Sequence, residues 1–146
     1  MEFEPDISTF RPDRPGVRKV LGDLEAEIMD LIWARPVGQG TTVREVFEVL
    51  YERRRLAYTT VMNTMTRLAR KHMLRAEKAD QAYVYFPNFT QEEFIARFVS
   101  RILEDLVLNF GGAVSHGLAQ MRDPVARQQT EHLLAELERR RTAEEA

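Results

Sequence analysis

The chain has 146 residues, of which 44% are hydrophobic and 30% are charged, and this composition fits one domain of ordinary size or a small domain with an assembly segment. The absence of cysteine excludes disulfides, thiolate chemistry and cysteine-based zinc sites. No run approaches the roughly 18 apolar residues of a membrane helix, and the acidic start of the chain lacks a signal-peptide pattern. We therefore expect a cytoplasmic protein that does not insert into a membrane.

The net charge of −2 conceals a strongly basic centre. Residues 53–78 contain eight lysines or arginines and one acidic residue, Glu77, whereas the segments on both sides are acidic. This distribution is typical of a protein that binds phosphates at one place. An arginine-rich face that is merely solvated would have the same charge pattern, so charge alone leaves both interpretations open.

The first predicted elements are an arm and a helix. Residues 1–20 contain several prolines and little periodicity, which predicts a flexible N-terminal arm. The segment GDLEAEIMDLIWAR follows, and its apolar residues at helical spacing predict a first helix that stops before Pro36. The acidic residues Asp23, Glu25 and Glu27 lie in the first turn of this helix, where the helix dipole favours them.

Two further helices are predicted across the basic centre. Thr42 and Glu45 have the spacing of a capping box, which predicts the start of a second helix. The basic triplet 53–55 ends this helix, and a short turn leads into a third helix from about Tyr58 to about His72.

The third helix has an unusual polar face. Val61, Met65 and Leu68 form an apolar stripe, whereas the opposite face carries threonines and an asparagine, which are mediocre helix formers. Asparagine is suited to adenine, arginine to guanine or phosphate, and the threonine methyl to the thymine methyl. The candidates for base readout are Thr59, Thr60, Asn63 and Arg67.

Two short strands follow the third helix. Leu74–Lys78 and Ala82–Phe86 are separated by Ala79, Asp80 and Gln81, which predicts a β-hairpin. Three helices followed by a hairpin predict a winged helix-turn-helix domain at residues 21–88, in which the third helix enters the major groove and the hairpin contacts the DNA backbone. The candidates for phosphate contacts are Arg53, Arg54, Tyr58, Arg70, Lys71, Lys78, Gln81 and Tyr83.

Residues 89–146 are predicted to form a helical dimerisation domain, so the fold class is mainly α with a small β-hairpin wing. Thr90 and Glu93 form a second capping-box pattern, a wide apolar stripe runs to Gly111-Gly112, and a last helix covers about Pro124–Arg141. Two such helices with no further core to cover favour a two-fold homodimer, although the stripe could also pack onto its own subunit. The candidates for the dimer interface are Phe94, Phe98, Ile102, Leu106, Leu133 and Leu137.

An enzymatic site is not expected. The three histidines are far apart in the sequence and match no metal-ligand spacing. A glycine-rich phosphate loop, a nucleophile elbow and a kinase signature are all missing from the sequence. We therefore expect no catalytic residues, no metal and no cofactor.

Several segments together resemble the penicillinase and methicillin-resistance repressors, the BlaI/MecI family. These segments are LGDLEAEIMDLIW (21–33), TVREVFEVL (42–50), LAYTTVMNTMTRLARKHML (56–74), AYVYFP (82–87) and the helical tail. The resemblance implies a homodimeric winged-helix transcriptional repressor that binds a palindromic operator in double-stranded DNA. It also implies derepression through a membrane sensor-protease system that triggers a cut in LVLNF, which maps to the bond between Asn109 and Phe110. This stretch is also consistent with a plain helix end.

Two other functions remain open at this point. The winged helix could be a protein-interaction module, with the basic centre solvated or facing an acidic partner. Alternatively, the chain could be a repressor that is released by a small-molecule effector. Salt-dependent binding to duplex DNA separates the first of these from a DNA-binding protein.

Overall fold

A computed structural model describes residues 4–7 and 9–146, so residues 1–3 and 8 of the predicted arm lie outside the described residues. The chain divides into two compact units, Met1–Ser100 and Arg101–Ala146. In the part of the chain that the structure describes, no helix is long and apolar enough to cross a membrane.

The first unit has the predicted winged helix-turn-helix fold. A short 3-10 helix, Gly16–Lys19, precedes three α-helices and an antiparallel two-stranded hairpin, and α4 begins in the same unit. The elements are α1 Asp23–Trp33, α2 Val43–Arg54, α3 Tyr58–Arg70, β1 Leu74–Ala79, β2 Ala82–Pro87, α4 Gln91–Ala119 and, in the second unit, α5 Pro124–Glu145.

The apolar stripe of α3 forms the centre of this core, as the sequence predicts. Val61, Met65 and Leu68 are completely buried. They pack among other buried apolar residues of the first unit, which include Ile28 of α1 and Leu50 of α2. Burying an aliphatic side chain stabilises a fold by roughly 1.5–3 kcal/mol, so this stripe holds α3 firmly against the rest of the domain.

Local hydrogen bonds define the helix boundaries. The Glu45 backbone N–H donates to Thr42 Oγ1 (3.2 Å) at the start of α2. At the start of α4, the Glu93 N–H donates to Thr90 Oγ1 (3.1 Å) and the Thr90 N–H donates to Glu93 Oε2 (3.3 Å), which completes a capping box. The third helix ends at Arg70 rather than near His72, because His72 has a left-handed backbone (φ 62°) that cannot continue an α-helix.

The hairpin is tied to the loop before α2. Its register runs from Leu74 opposite Pro87 to Ala79 opposite Ala82, one residue longer in each strand than predicted. Thr41 and Tyr85 exchange two backbone hydrogen bonds, of 2.9 and 2.8 Å. A side chain at Gly40 would meet Val84 Cγ1 at 2.0 Å, so only glycine allows the loop to approach the wing this closely.

The described residues of the N-terminal arm pack on the first unit. Pro5, Val17 and Val20 are buried. The Asp6 backbone N–H donates to the carbonyl of Lys71 (2.9 Å), just beyond the end of α3. The flexibility of the arm stays a prediction.

The second unit contains the rest of α4 and the whole of α5. The sequence predicts that the apolar helix stops at Gly111-Gly112, and α4 is indeed broken directly before these glycines, at Phe110 (φ −137°, ψ 35°). The sequence does not predict the second helical stretch, which begins after the break and continues to Ala119. Asp123 caps α5 by accepting hydrogen bonds from the N–H groups of Val125 (2.8 Å) and Ala126 (3.0 Å).

Candidate nucleic-acid interface

The four predicted base-reading residues lie together on the exposed side of α3. Their positions follow helical spacing and face away from the buried stripe, and all four side chains are exposed. The four are Thr59, Thr60, Asn63 and Arg67. A helix that is buried on one side and polar on the other, at the second position of a helix-turn-helix, has the arrangement required for insertion into a major groove.

Two other threonines of α3 bond to the helix itself. Thr64 is buried and its hydroxyl donates to the carbonyl of Thr60 (2.8 Å), while the hydroxyl of Thr66 donates to the carbonyl of Met62 (2.9 Å). These bonds satisfy the hydroxyls within the helix. Fewer threonine hydroxyls of α3 are therefore available to a ligand than the number of threonines implies.

Some of the predicted phosphate contacts are exposed and free of ion pairs. Arg70 on α3 and Lys78 on β1 are exposed and form no ion pair with any described residue. Gln81 and Tyr83 are exposed at the tip and second strand of the wing. Exposed cations and hydrogen-bond donors of this kind bind phosphate oxygens without rearranging the domain.

Arg53 and Arg54 lie at the end of α2 and share one carboxylate. Arg53 Nη1 lies 3.4 Å from Glu27 Oε1, and Arg54 forms a close ion pair with Glu27 Oε2. About half of each arginine side chain is exposed, so these pairs are screened by solvent and contribute little stability. Both guanidinium groups remain accessible to an anion.

Lys71 and Arg67 approach a second carboxylate of α1, which is buried. The Glu25 side chain is 8% exposed, and its Oε2 lies 2.9 Å from Lys71 Nζ and 3.7 Å from Arg67 Nε. Its Oε1 accepts a hydrogen bond from the Gly22 backbone N–H (3.0 Å). The structure thus places Lys71 in an intramolecular ion pair, whereas the sequence predicts it only as a phosphate contact.

The ionised form of Glu25 is favoured by its surroundings. Burial raises the pKa of this carboxyl group, but the hydrogen bonds from Lys71 and Gly22 and the charges of Lys71 and Arg67 outweigh that effect. The net result is a pKa below its ordinary value of 4.5. Glu25 is therefore a charged anchor beneath the last turn of α3 at neutral pH.

An aromatic cluster surrounds the first residue of α3. The Tyr58 ring meets Phe47 edge-on, with centroids 5.4 Å apart, and Phe47 in turn contacts Tyr51 (5.5 Å). Arg55, in the turn between α2 and α3, has a left-handed backbone (φ 53°) and lies over the Tyr51 ring at 4.7 Å. Arg55 is not among the predicted phosphate contacts, although it belongs to the basic triplet directly before α3.

The predicted interface residues of the tail fall into two groups. Phe94 and Phe98 are buried in the first unit, where their rings contact each other (5.4 Å) and Phe94 contacts Trp33 (5.9 Å). The other members of the predicted set are half-buried or exposed in the second unit, namely Ile102, Leu106, Leu133 and Leu137. Within the predicted set, the residues that leave apolar surface open to a partner are therefore those after Phe98.

The break in α4 coincides with the predicted cleavage bond. Phe110 is the residue with non-helical backbone angles, and its side chain is 58% exposed. Asn109 Nδ2 donates to Asp105 Oδ1 (2.9 Å), one turn earlier. The predicted bond therefore lies at an exposed break between two helical stretches of α4.

The described residues contain no group of three or more His, Asp or Glu side chains that could hold a metal ion. The chemistry of the exposed groups on α3 and the wing is hydrogen bonding and positive charge, which suits a polyanion.

Comparison with known proteins identifies the family. The family model of the penicillinase repressor matches residues 21–139. The transcriptional regulator BlaI of Mycobacterium tuberculosis, from strains CDC 1551 / Oshkosh and ATCC 25618 / H37Rv, is 46% identical over 76 residues, which are 52% of this chain and 54% of that protein. The penicillinase repressor of Bacillus licheniformis is 28% identical over 98 residues, which are 62% of this chain and 74% of that protein.

The chain spans about half the length of the mycobacterial relatives that it matches. The family match, in contrast, covers both the winged helix and most of the helical tail. This protein belongs to the penicillinase repressor family.

Proposed function

We propose that the protein is a transcriptional repressor that binds double-stranded DNA through the exposed face of α3. The observation that carries the proposal is the placement of Thr59, Thr60, Asn63 and Arg67 on one exposed side of a helix whose other side is buried. The family match supports it, because the relatives bear the names transcriptional regulator and penicillinase repressor. Occupying a promoter would exclude the polymerase, so repression requires no chemistry.

Each group of exposed residues has a distinct role in this proposal. Asn63 and Arg67 form hydrogen bonds with base edges, and the threonines contact thymine methyl groups. The basic residues of α2 and α3 and the polar residues of the wing contact phosphates, which fixes the position of the domain on the duplex. The phosphate contacts are Arg53, Arg54, Tyr58, Arg70, Lys71, Lys78, Gln81 and Tyr83.

The functional form is a homodimer on a palindromic operator. Leucines of α5 that are more than half exposed, among them Leu133 and Leu137, need a partner surface. Two-fold symmetry would present two copies of α3 to half-sites about 34–36 Å apart, or a multiple of this distance. Linking two half-site contacts in one dimer raises the affinity far above that of a monomer.

Derepression by cleavage of the bond between Asn109 and Phe110 fits this arrangement. The bond lies at the break in α4, within the unit that carries the exposed leucines. Cleavage there would separate α5 and the end of α4 from the winged helix, and the monomer would retain only half of the DNA contacts. A membrane sensor-protease system is the partner that this proposal requires.

Release by a small molecule is a second candidate, because the first unit contains a cavity of about 450 Å³. Its wall includes Trp33, Arg75, Phe86 and Phe89. The volume lies within the range of small-molecule sites, roughly 300–1,000 Å³. Arg75, however, already pairs with Glu77 (3.1 Å) and lies over Phe86 (4.8 Å), so the cavity offers little unused charge.

The test is binding to duplex DNA as a function of salt and sequence. The wild-type protein selects duplexes from a random pool, and its affinity for the enriched duplex is measured by fluorescence anisotropy at several salt concentrations. We expect log K to fall with log [salt] with a slope of roughly 0.9 per phosphate contacted. Asn63→Ala should weaken binding to the enriched duplex by about 1–3 kcal/mol and leave binding to a scrambled duplex nearly unchanged.

Two results would contradict the proposal. The absence of duplex binding at low salt would favour a protein-interaction module. An equal loss of affinity for both duplexes in Asn63→Ala would assign Asn63 to the structure of α3 rather than to base readout. Thr66→Ala is the matched control, because the Thr66 hydroxyl is already bonded to the Met62 carbonyl.

A further inference from the structure

Arg67, the cationic member of the predicted base-reading set, lies within ion-pair distance of the acidic residue Glu25. Its Nε lies 3.7 Å from Glu25 Oε2, which is longer than a hydrogen bond. The same oxygen lies 2.9 Å from Lys71 Nζ. Arg67 in α3 and Lys71 at its C-terminal end therefore compete for one buried carboxylate oxygen, and Lys71 makes the shorter contact.

This geometry affects which atoms of Arg67 are available. Since the ion pair joins Glu25 to Nε, the two Nη groups are left for a bidentate contact with the O6 and N7 atoms of guanine. The Arg67 side chain is 55% exposed, whereas that of Lys71 is 28% exposed. Arg67 is thus held loosely at its Nε atom, and more than half of its side chain is exposed.

We propose that Glu25 is a positioning residue that orients Arg67 for base readout, and that Lys71 keeps Glu25 from withdrawing Arg67 from the DNA. The inference rests on the proposed function. When Lys71 is present, its ammonium group forms the short contact with the Glu25 carboxylate, and the longer contact of Glu25 with Arg67 only orients the guanidinium. Without Lys71, Glu25 takes Arg67 as its sole side-chain partner and draws the guanidinium towards α1, because a buried carboxylate without a partner is costly.

The inference predicts an unusual order of effects in a double-mutant cycle. The quantity measured is the ratio of affinities for the enriched and the scrambled duplex, in which the general loss of a phosphate contact cancels. Lys71→Met should lower this ratio roughly ten- to a hundredfold, close to the effect of Arg67→Ala, because both remove a base contact. Glu25→Gln should lower it less, since Arg67 loses only its orientation.

The double variant Glu25→Gln/Lys71→Met distinguishes positioning from a general structural role. With the carboxylate gone, nothing draws Arg67 inwards, so the ratio should recover to that of Glu25→Gln alone. If Glu25 and Lys71 only stabilised the fold, the single and double variants would change the free energy of unfolding but would leave the ratio at its wild-type value, because a loss of folded protein lowers both affinities equally. A double variant that fails to recover would overturn the inference.

Glu27→Gln is the matched control. Glu27 also lies on α1 and also pairs with two cations, but these are Arg53 and Arg54, which are proposed to contact phosphates. Its loss should change the affinity for both duplexes equally and leave their ratio unchanged. A ratio that falls as far as in Glu25→Gln would show that any lost acidic residue of α1 has this effect, and would also overturn the inference.

The folding of each variant is checked by circular dichroism. If Lys71→Met does not fold, Lys71→Ala replaces it, because alanine also leaves Glu25 without this hydrogen-bond donor.

The proposed function and the inference fail with different results. A wild-type protein that binds both duplexes equally would contradict base readout altogether. A wild-type protein that discriminates normally, with a cycle that shows no recovery, would contradict only the roles of Glu25 and Lys71.

Discussion

The two units of the chain differ in how far their apolar side chains are buried. In the first unit, Val61, Met65 and Leu68 are completely buried by other residues of the same chain. In the second unit, no residue of α5 is buried, and Leu133 and Leu137 are more than half exposed. The winged helix therefore contains its own core, whereas the tail has an apolar face that still lacks a covering surface.

This contrast assigns different tasks to the two units. The first unit can keep a fixed geometry for α3 without a partner, because the packing that supports the helix lies within the unit. In the proposed dimer, the stability of the second unit would depend on the partner that covers its leucines, and the proposed control by cleavage acts on this unit. The bond proposed for cleavage lies in this second unit.

The largest expected effect comes from removing the apolar face of α5. Leu133→Glu/Leu137→Glu should convert a dimer into a monomer, because covering the exposed parts of four leucines per dimer would contribute on the order of 4–7 kcal/mol to association. Sedimentation velocity over a range of protein concentrations measures the change. Gln128→Glu/Gln129→Glu adds the same charge to exposed polar positions of the same helix and should leave the dimer intact.

Two results of this experiment would contradict an interface formed by α5. If the leucine variant sediments as a dimer, then α5 is not the contact surface, and the exposed remainder of α4, with Leu106 and Val107, becomes the alternative. If the wild-type protein is itself a monomer at all concentrations, the homodimer proposal is wrong.

A core substitution in α3 should have the next largest effect and a different concentration dependence. Leu68→Ala leaves a cavity at a fully buried site and should lower the free energy of unfolding by about 2–5 kcal/mol, at any protein concentration. Urea denaturation followed by circular dichroism measures this loss. Met62→Ala, on the exposed side of the same helix, should change the free energy by less than about 0.5 kcal/mol.

The helix starts, the hairpin and the buried side of α3 could be predicted from the sequence, because each is determined by residues that are close together in the chain. The pairs Thr42 with Glu45 and Thr90 with Glu93 are three residues apart, so their spacing alone indicates the starts of α2 and α4. The hairpin is equally local, since its strands are joined by a two-residue turn. Helical periodicity likewise distinguishes the buried side of α3 from its exposed side.

Contacts between distant residues could not be predicted in the same way. Glu25 and Lys71 are 46 residues apart, and Glu27 and Arg54 are 27 apart, so their pairing depends on how α1 packs against α2 and α3. The sequence explains Glu25 only as an acidic residue near a helix start. For the same reason, helical spacing places Phe94 and Leu106 in one apolar stripe and cannot show that their burial differs. In the structure Phe94 is buried and contacts Trp33, whereas Leu106 is exposed.

Acid should weaken the first unit through Glu25. Because its pKa is lowered in the folded protein, its contribution to stability is complete above the ordinary value of 4.5 and is lost as the pH falls through the folded pKa. The free energy of unfolding should therefore decrease as the pH falls below about 4.5, and less steeply in Glu25→Gln. Urea denaturation at several pH values measures both slopes, and identical slopes would show that this ion pair does not contribute to acid sensitivity.

The smallest expected effect concerns the turn that leads into α3. Arg55 has a left-handed backbone (φ 53°), which costs a residue with a β-carbon roughly 1–2 kcal/mol. Arg55→Gly relieves this cost and Arg55→Ala does not, while both variants lose the contact of the guanidinium with Tyr51. The glycine variant should therefore be more stable than the alanine variant by about 1 kcal/mol in urea denaturation.

The DNA affinities of the two Arg55 variants complete this comparison. Both lack the arginine side chain, so they should bind the enriched duplex equally well if the core alone fixes the position of α3. Weaker binding by the more flexible glycine variant would mean that the turn also orients the helix. In that case the left-handed residue contributes to DNA recognition, and the first unit would rely on local backbone constraint as well as on its buried stripe.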